Sequence, residues 1–343
     1  MIKIESLESV NNPNSIHGIY PYRGKISAVD AAMVISQLKK NKILLDPFCG
    51  SGTIVYEGKR LGLNTIGIDA NPIAVALTNG KINIDKDLIG YYTELSQLIA
   101  KSNNYITDDI SCDYSRSLFH ENTISQIIKL SKVYEEMSPY MKACYLGAIC
   151  LAARGCNQYK WTSSTVGKNI EPKRDIDFYE KLKGKLKKHY FPIKSGSQVF
   201  YHDSRKLSEI ISENTIDYVF TSPPYFDCLD YTMYYARFAY DILGIDRIVI
   251  KNSLIQNFTN YKDDMRIVLE ELYKVCKKDA RIIFVVGDKK IHNQLINGAE
   301  FFNAISPFDC EQVVERTYTG TSSQVFDSIN KTERKEQIVI WKK

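Results

Sequence analysis

The 343-residue sequence predicts an α/β fold, a parallel sheet with covering helices that is broken by a mostly helical insertion. Three observations carry this. Short apolar runs at 43–46 and 65–69 alternate with helix-like stretches at 53–61 and 72–80, the mark of strand–helix–strand units. From about Asp85 to Lys194 the strand signals stop and helical spacing takes over. The alternation then resumes at Gln198-Val199-Phe200-Tyr201.

The elements follow in order. Ser27 to Lys39 places Ala28, Ala31, Met33, Val34 and Leu38 at helical spacing ahead of the first strand. Within the insertion, helices are expected over Leu88–Ser102, Thr123–Glu136, Pro139–Arg154 and Asp175–His189. The link from Asn157 to Arg174 is polar and basic. After it, Asp217 to Phe220 reads as a strand, Met265 to Cys276 as a helix, and Ala280 to Val286 as a buried strand. Glu311–Arg316 and Glu336–Trp341 read as a closing pair of strands, with a polar loop from Thr317 to Lys335 between them. The organisation is therefore residues 1–84, the insertion 85–195, and residues 196–343.

Composition excludes several classes. A hydrophobic content of 44% with 25% charged residues is that of an ordinary globular protein. No run of 18 apolar residues is present, so no membrane span is expected, and Met1-Ile2-Lys3-Ile4-Glu5 lacks the apolar core of a signal peptide. The eight cysteines form no C-x-x-C pair and no zinc spacing, so no metal is expected and a reduced, cytoplasmic protein is. The formal charge of +5 is compatible with a nucleic-acid partner.

Two stretches carry chemistry. Ile43-Leu44-Leu45-Asp46-Pro47-Phe48-Cys49-Gly50-Ser51-Gly52-Thr53 is a strand, an acid and a small-residue turn leading into a helix. Glycines there let backbone approach a ligand. The turn lacks the third glycine of a dinucleotide site and the Gly-Lys-Ser/Thr of a P-loop, and Asp46 at the strand end would repel a pyrophosphate but welcome a cationic amine. Asp69 ends the next strand 19 residues after Gly50, a spacing suited to ribose hydroxyls. A ligand with a ribose, an amine and no phosphate fits S-adenosyl-L-methionine. The second stretch is Thr221-Ser222-Pro223-Pro224-Tyr225, directly after a strand. Two prolines stiffen it into an extended loop with outward carbonyls beside an aromatic face, a shape that suits a planar group with an exocyclic amine.

With both stretches present, the chain resembles the amino-group DNA methyltransferases, which modify N4 of cytosine or N6 of adenine. The resemblance rests on 46–53, on Gly67-Ile68-Asp69-Ala70-Asn71-Pro72, on 221–225, and on His17-Gly18-Ile19-Tyr20-Pro21-Tyr22. It implies a Rossmann-like S-adenosylmethionine-dependent methyltransferase fold in which 1–84 is the cofactor half, 196–343 the catalytic half and 85–195 a candidate target-recognition region. It also implies roles. Asp46, Gly50, Gly52 and Thr53 hold the methionine end, Asp69 takes the ribose, and Asp203 accepts from the adenine amine. Phe48, Asn71 and Pro72 surround the cofactor, and His17 and Tyr20 close over it. Ser222 and the Pro223 carbonyl accept protons from the target amine, Pro224 stiffens the loop, and Tyr225 stacks on the base.

Serine at position 222 favours N4 of cytosine, because the family's adenine enzymes mostly carry Asp there. No Pro-Cys pair occurs, which excludes the C5-cytosine nucleophile; Cys49 and Cys228 read as small buried residues. The partner expected is double-stranded DNA with the target base flipped out, with a cognate restriction endonuclease as a possible companion. The basic stretch Lys160 to Lys188 is placed to touch phosphates. Adenine-N6 DNA methylation, guanine-N2 methylation of RNA, and non-catalytic binding of S-adenosylmethionine or nucleic acid stay open as alternatives.

Overall fold

The computed structural model describes residues 15–22, 24–105, 116–156, 174–194, 196–224, 230–233, 235–291, 294–319 and 333–343. Strands β1 (Ile43–Asp46), β2 (Asn64–Asp69), β3 (Ser197–Tyr201), β4 (Ile216–Thr221) and β5 (Cys276–Gly287) run parallel. A short hairpin follows, β6 (Lys289–Ile291) and β7 (Gln294–Ile296). The last strands, β8 (Asp309–Thr319) and β9 (Glu333–Lys342), form an antiparallel pair, with β9 against β5. The seven-stranded order is β3-β2-β1-β4-β5-β9-β8. The chain winds outward from β1 in one direction and then restarts at β4 on its other side. That reversal opens a crevice at the carboxyl ends of β1 and β4, where open α/β sheets bind ligands.

Alternation along the strands builds the layers, because successive side chains point to opposite faces. Leu45, Val219, Ile282, Phe284 and Val339 share one core with the last helices, α10 (Phe258–Val275) and α11 (Gly298–Ile305). Their neighbours Leu44, Phe220, Ile283, Ile338 and Ile340 face the opposite way, onto α1 (Ala28–Ile35) and α2 (Thr53–Arg60). Helix α3 (Pro72–Ile82) starts where expected because Asn71 caps it and Pro72 sits in its first turn.

The insertion forms α4 (Leu88–Ser102), α5 (Glu121–Ser131), α6 (Pro139–Cys156) and α7 (Phe178–Lys188). Its core is continuous with Tyr56, Ile73 and Leu77 of the α/β layer and with α8 (Tyr235–Leu243). Contact with α3 is close: a Cβ on Gly80 would lie 2.4 Å from Ala143 Cβ and 2.7 Å from the Pro139 carbonyl oxygen.

Several boundaries differ from expectation. Helix α8 runs over Tyr235–Leu243, after Asp230 forms a turn in which its Oδ1 accepts from Thr232 N and Oγ1. The helix expected from Met265 begins at Phe258, capped by Asn257. Strands β8 and β9 run into the stretch expected as a loop, to Thr319 and from Glu333. Helices α9 (Arg247–Ser253) and α11 and the β6–β7 hairpin had no clear sequence signal, since each is only three to eight residues long.

Candidate active site

Three strands end in polar residues at the crevice: Asp46 on β1, Asp69 on β2 and Thr221 on β4. Asp46 Oδ1 accepts from Thr221 Oγ1 at 2.7 Å and from Phe48 N at 3.2 Å. Asp69 Oδ2 accepts from Gly50 N at 2.8 Å, and its Oδ1 from Asn71 N at 2.8 Å. The register Asp46↔Gly67 is what brings residues 19 apart in sequence into contact.

The turn between β1 and α2 needs its glycines. Gly50 and Gly52 have φ of 51° and 74°, a region disfavoured for residues with a Cβ. A Cβ on Gly52 would also lie 2.6 Å from Thr78 Oγ1, and that hydroxyl donates to the Gly50 carbonyl at 3.0 Å. Because the residue ahead of α2 is this glycine, the helix has no side-chain cap and its first amides are left for a ligand.

These elements surround a pocket of about 840 Å³ that opens to solvent. Asp46, Phe48, Gly50, Ser51 and Thr53 line it from the first turn, and Asp69, Ala70 and Asn71 from the second. Asp203 and Ser204 come from the end of β3, and Ser222 and Pro224 from the end of β4. Tyr22, Lys25 and Ile26 from the N-terminal segment and Tyr231 with Ser253–Ile255 complete the wall.

Charge in the pocket is unbalanced. Burial pushes the Asp46 carboxyl up to about 7 against the pull of its Thr221 and Phe48 hydrogen bonds, with Asp69 adding to the rise. Burial likewise lifts Asp69 to about 6, opposed by Asn71 N and Gly50 N. Lys25 is lowered to about 8 by burial and then by Lys185, and its Nζ donates to the His17 carbonyl at 2.6 Å. The buried atoms Ser51 Oγ, Thr53 Oγ1 and Asn71 Nδ2 have no hydrogen-bond partner among the described residues. Such a set fits a zwitterionic ligand that also carries hydroxyls: a cation for Asp46, an anion for Lys25 and the α2 amides, hydroxyls for Asp69.

Not every expected residue lines the pocket. His17 is buried under α2, where Nε2 meets Glu57 Oε1 at 2.9 Å and the ring stands edge-on to Tyr56. Burial lowers its pKa to about 4, so the imidazole is neutral and donates to Glu57. Tyr20 is buried in the helical core. The last residue of that N-terminal motif, Tyr22, reaches the pocket, as does Lys25 beyond it. Gly52, Pro72 and Pro223 lie outside the lining, and Tyr225 lies outside the described residues.

Asp203 is in the wall and heavily engaged. It accepts from Arg205 N at 2.9 Å and from Arg205 Nη2 at 2.7 Å. Arg205 reaches on to Asp264 Oδ1 at 2.9 Å and the Ser253 carbonyl at 3.0 Å, tying the third acid to α10 and the far wall. Arg205 Nε lies 3.0 Å from both Asp203 oxygens and shares its single proton between them, so three donors occupy a carboxylate with about four acceptor sites and one remains for a ligand amine. The proline loop has its own support: Tyr261 of α10 donates its hydroxyl to the Pro224 carbonyl at 2.5 Å.

Residues 31–80, which hold β1, the glycine turn, β2 and most of α3, match the family model described as DNA methylase, of the N6 and N4 class. Over this segment the chain resembles the amino-group DNA methyltransferases. The sheet order is that of a Rossmann-like methyltransferase fold, and S-adenosyl-L-methionine is the cofactor. The chain is 22% identical to the type II methyltransferase M.MjaII of Methanocaldococcus jannaschii over 84% of its length and 75% of that protein. It is 26% identical to the type II methyltransferase M.BsoBI of Geobacillus stearothermophilus over 70% of its length, a match that spans 55% of that relative. A short stretch of 35 residues is 54% identical to a probable tRNA (guanine(10)-N2)-dimethyltransferase of Methanothermococcus thermolithotrophicus, covering 10% of this chain and 22% of that protein. Among the described residues no helix is long and apolar enough to cross a membrane.

Proposed function

We propose that this protein methylates the exocyclic amine of a base flipped out of double-stranded DNA, and that the base is cytosine, at N4. The observation that carries the reading is one pocket in which Ser222 and Pro224 share walls with Asp46, Asp69 and Asn71. S-adenosyl-L-methionine, when bound, supplies a methyl group on a sulfonium.

The remaining work falls to the chain. Asp46 takes the ammonium of the methionine end, while Lys25, Ser51, Thr53 and the uncapped start of α2 take its carboxylate. Asp69 binds the ribose hydroxyls and Asp203 the adenine amine, with Phe48 against the ring. Pocket walls that fix both reactants convert orientation into rate. The lone pair of a base amine is delocalised into its ring, so acceptors for its protons favour the tetrahedral nitrogen of the transition state. Ser222 Oγ and the Pro223 carbonyl are those acceptors, and Tyr225 stacks on the base. The type II names of the relatives support a restriction-modification setting with a partner nuclease.

The test is transfer of labelled methyl to plasmid DNA followed by digestion to nucleosides. N4-methylcytosine is expected, with Ser222→Ala and Tyr225→Ala each reducing transfer while cofactor binding persists. N6-methyladenine in the product would overturn the choice of base. Transfer to tRNA in place of DNA would overturn the DNA reading in favour of the guanine-N2 chemistry that the 35-residue match suggests.

A further inference from the structure

The segment after β5 folds back as a hairpin, with Lys289↔Ile296, Lys290↔Leu295 and Ile291↔Gln294 paired. Its place is set by the sheet. Thr221, the last residue of β4, pairs with Phe284, and β5 continues to Gly287. Three further residues at ~3.3 Å each put the hairpin about 10 Å past the end of β4. It therefore rises from the same edge as the proline loop.

Its base is pinned. Asp288 Oδ1 accepts from Gly298 N at 3.1 Å and from Gln337 Nε2 at 2.9 Å. Gly298 abuts the strand end so closely that a Cβ there would lie 2.8 Å from the Gly287 carbonyl oxygen. Ile296 packs on the core that holds Phe301 and Tyr261. Tyr261, part of the same core, packs its ring on Phe301 at 5.9 Å and holds the Pro224 carbonyl, so hairpin and proline loop are both anchored on this core. The next residue along the strand, Leu295, faces out and is 69% exposed. Residues 289–296 contain two lysines and no acid, which suits a phosphate-rich partner.

We propose that Leu295 is an apolar wedge that enters the base stack of duplex DNA as the target base leaves it. The proposal rests on the reading that this pocket takes a flipped base. Filling the gap offsets unstacking, and a wedge on a rigid mount beside the pocket holds the duplex open where the base must turn.

The test uses full-length protein and duplex oligonucleotides carrying the sequence it methylates in plasmid DNA. Two forms are compared, one fully paired and one mispaired at the target base. Leu295→Ala is expected to slow single-turnover methylation of the paired duplex ~10- to 100-fold and of the mispaired duplex by less than about 3-fold, because a mispaired base is already cheap to extrude. Leu295→Lys should keep DNA affinity and show the same selective loss. With pyrrolocytosine, a fluorescent cytosine analogue that pairs with guanine, at the target position, wild type should raise fluorescence on binding and Leu295→Ala should not. An equal loss on both duplexes, no loss, or a change in sedimentation that assigns the leucine to an interface between copies would overturn the wedge alone. Wild-type protein that methylates no DNA would overturn the functional reading and the wedge with it.

Discussion

Replacing Asp46 by Asn tests the charge imbalance of the pocket directly. Asp46 Oδ1 accepts from both Thr221 Oγ1 and Phe48 N, so the amide oxygen of Asn can keep both bonds. What changes is titration. In the unliganded protein Asp46 holds its proton to about pH 7, whereas in the unfolded chain it releases it near 3.8. The folded state therefore binds more protons between those values. The stability this contributes is fully present below about pH 4 and is lost as pH rises through 7. Full ionisation corresponds to ~4 kcal/mol, of which about 3 kcal/mol falls between pH 5 and pH 8. With an unfolding entropy of ~2.1 cal/mol/K per residue, that is about 4 °C in Tm for a chain of this size. Asp69 titrates in both proteins, so to first order its share cancels in the difference. Scanning calorimetry of wild type and Asp46→Asn at the two pH values should show the variant gaining about 4 °C on wild type as pH rises. Saturating cofactor should weaken the pH dependence of wild type, because a bound cation keeps Asp46 ionised. The variant should bind the cofactor ~100-fold more weakly, the worth of ~3 kcal/mol of charge pairing. A Tm difference that is the same at both pH values would refute the assignment of Asp46 as a buried proton holder awaiting a cation.

Three further outcomes are expected. Lys25→Met should weaken cofactor binding ~10-fold, read by calorimetry, while a cofactor analogue lacking the methionine carboxylate binds wild type and variant alike. Tyr261→Phe removes the hydroxyl that holds the Pro224 carbonyl, and should lower kcat ~10-fold with cofactor affinity unchanged, as measured by steady-state kinetics and titration. Gly80→Ala forces a Cβ to within 2.4 Å of Ala143 Cβ where α3 meets α6, and should destabilise the protein by ~1–3 kcal/mol in urea unfolding.

Much of the stretch 43–82 was legible because local signals and long-range geometry agree there. An apolar strand, an acid and a glycine turn can be read from 43–53, and Asp69 falls where the parallel register carries it to Gly50 N. Asn71-Pro72 announces a helix start that the structure keeps. The rest of the pocket was less legible for a physical reason. Lys25 and Ile26 sit in an irregular segment, and Ser253–Ile255 in the link between α9 and α10, so no periodicity marks them. Nothing in the sequence ties Arg205 to the site, and only the fold brings Asp264 and the Ser253 carbonyl to it. His17 shows the opposite case: a motif residue whose partner, Glu57, lies 40 positions away and holds it under α2.

The bond from Thr221 to Asp46 joins the two halves of the site. Thr221 is the residue immediately before Ser222, and Asp46 is the acid proposed to meet the methionine ammonium. With the pocket empty, burial favours a protonated Asp46 at neutral pH and below, a carboxyl that accepts only weakly from a hydroxyl. A cation in the pocket favours the carboxylate, and a hydrogen bond to an ionised acceptor is roughly twice as strong. Binding on the cofactor side thus tightens the end of β4 just where the proline loop begins. Tyr261 holds the other side of that loop at the Pro224 carbonyl, and Ser222 lies between the two restraints. An acceptor held at both flanks is pre-organised for an amine proton only once the cofactor is in place. The geometry therefore favours an order in which cofactor binds first and the base enters second.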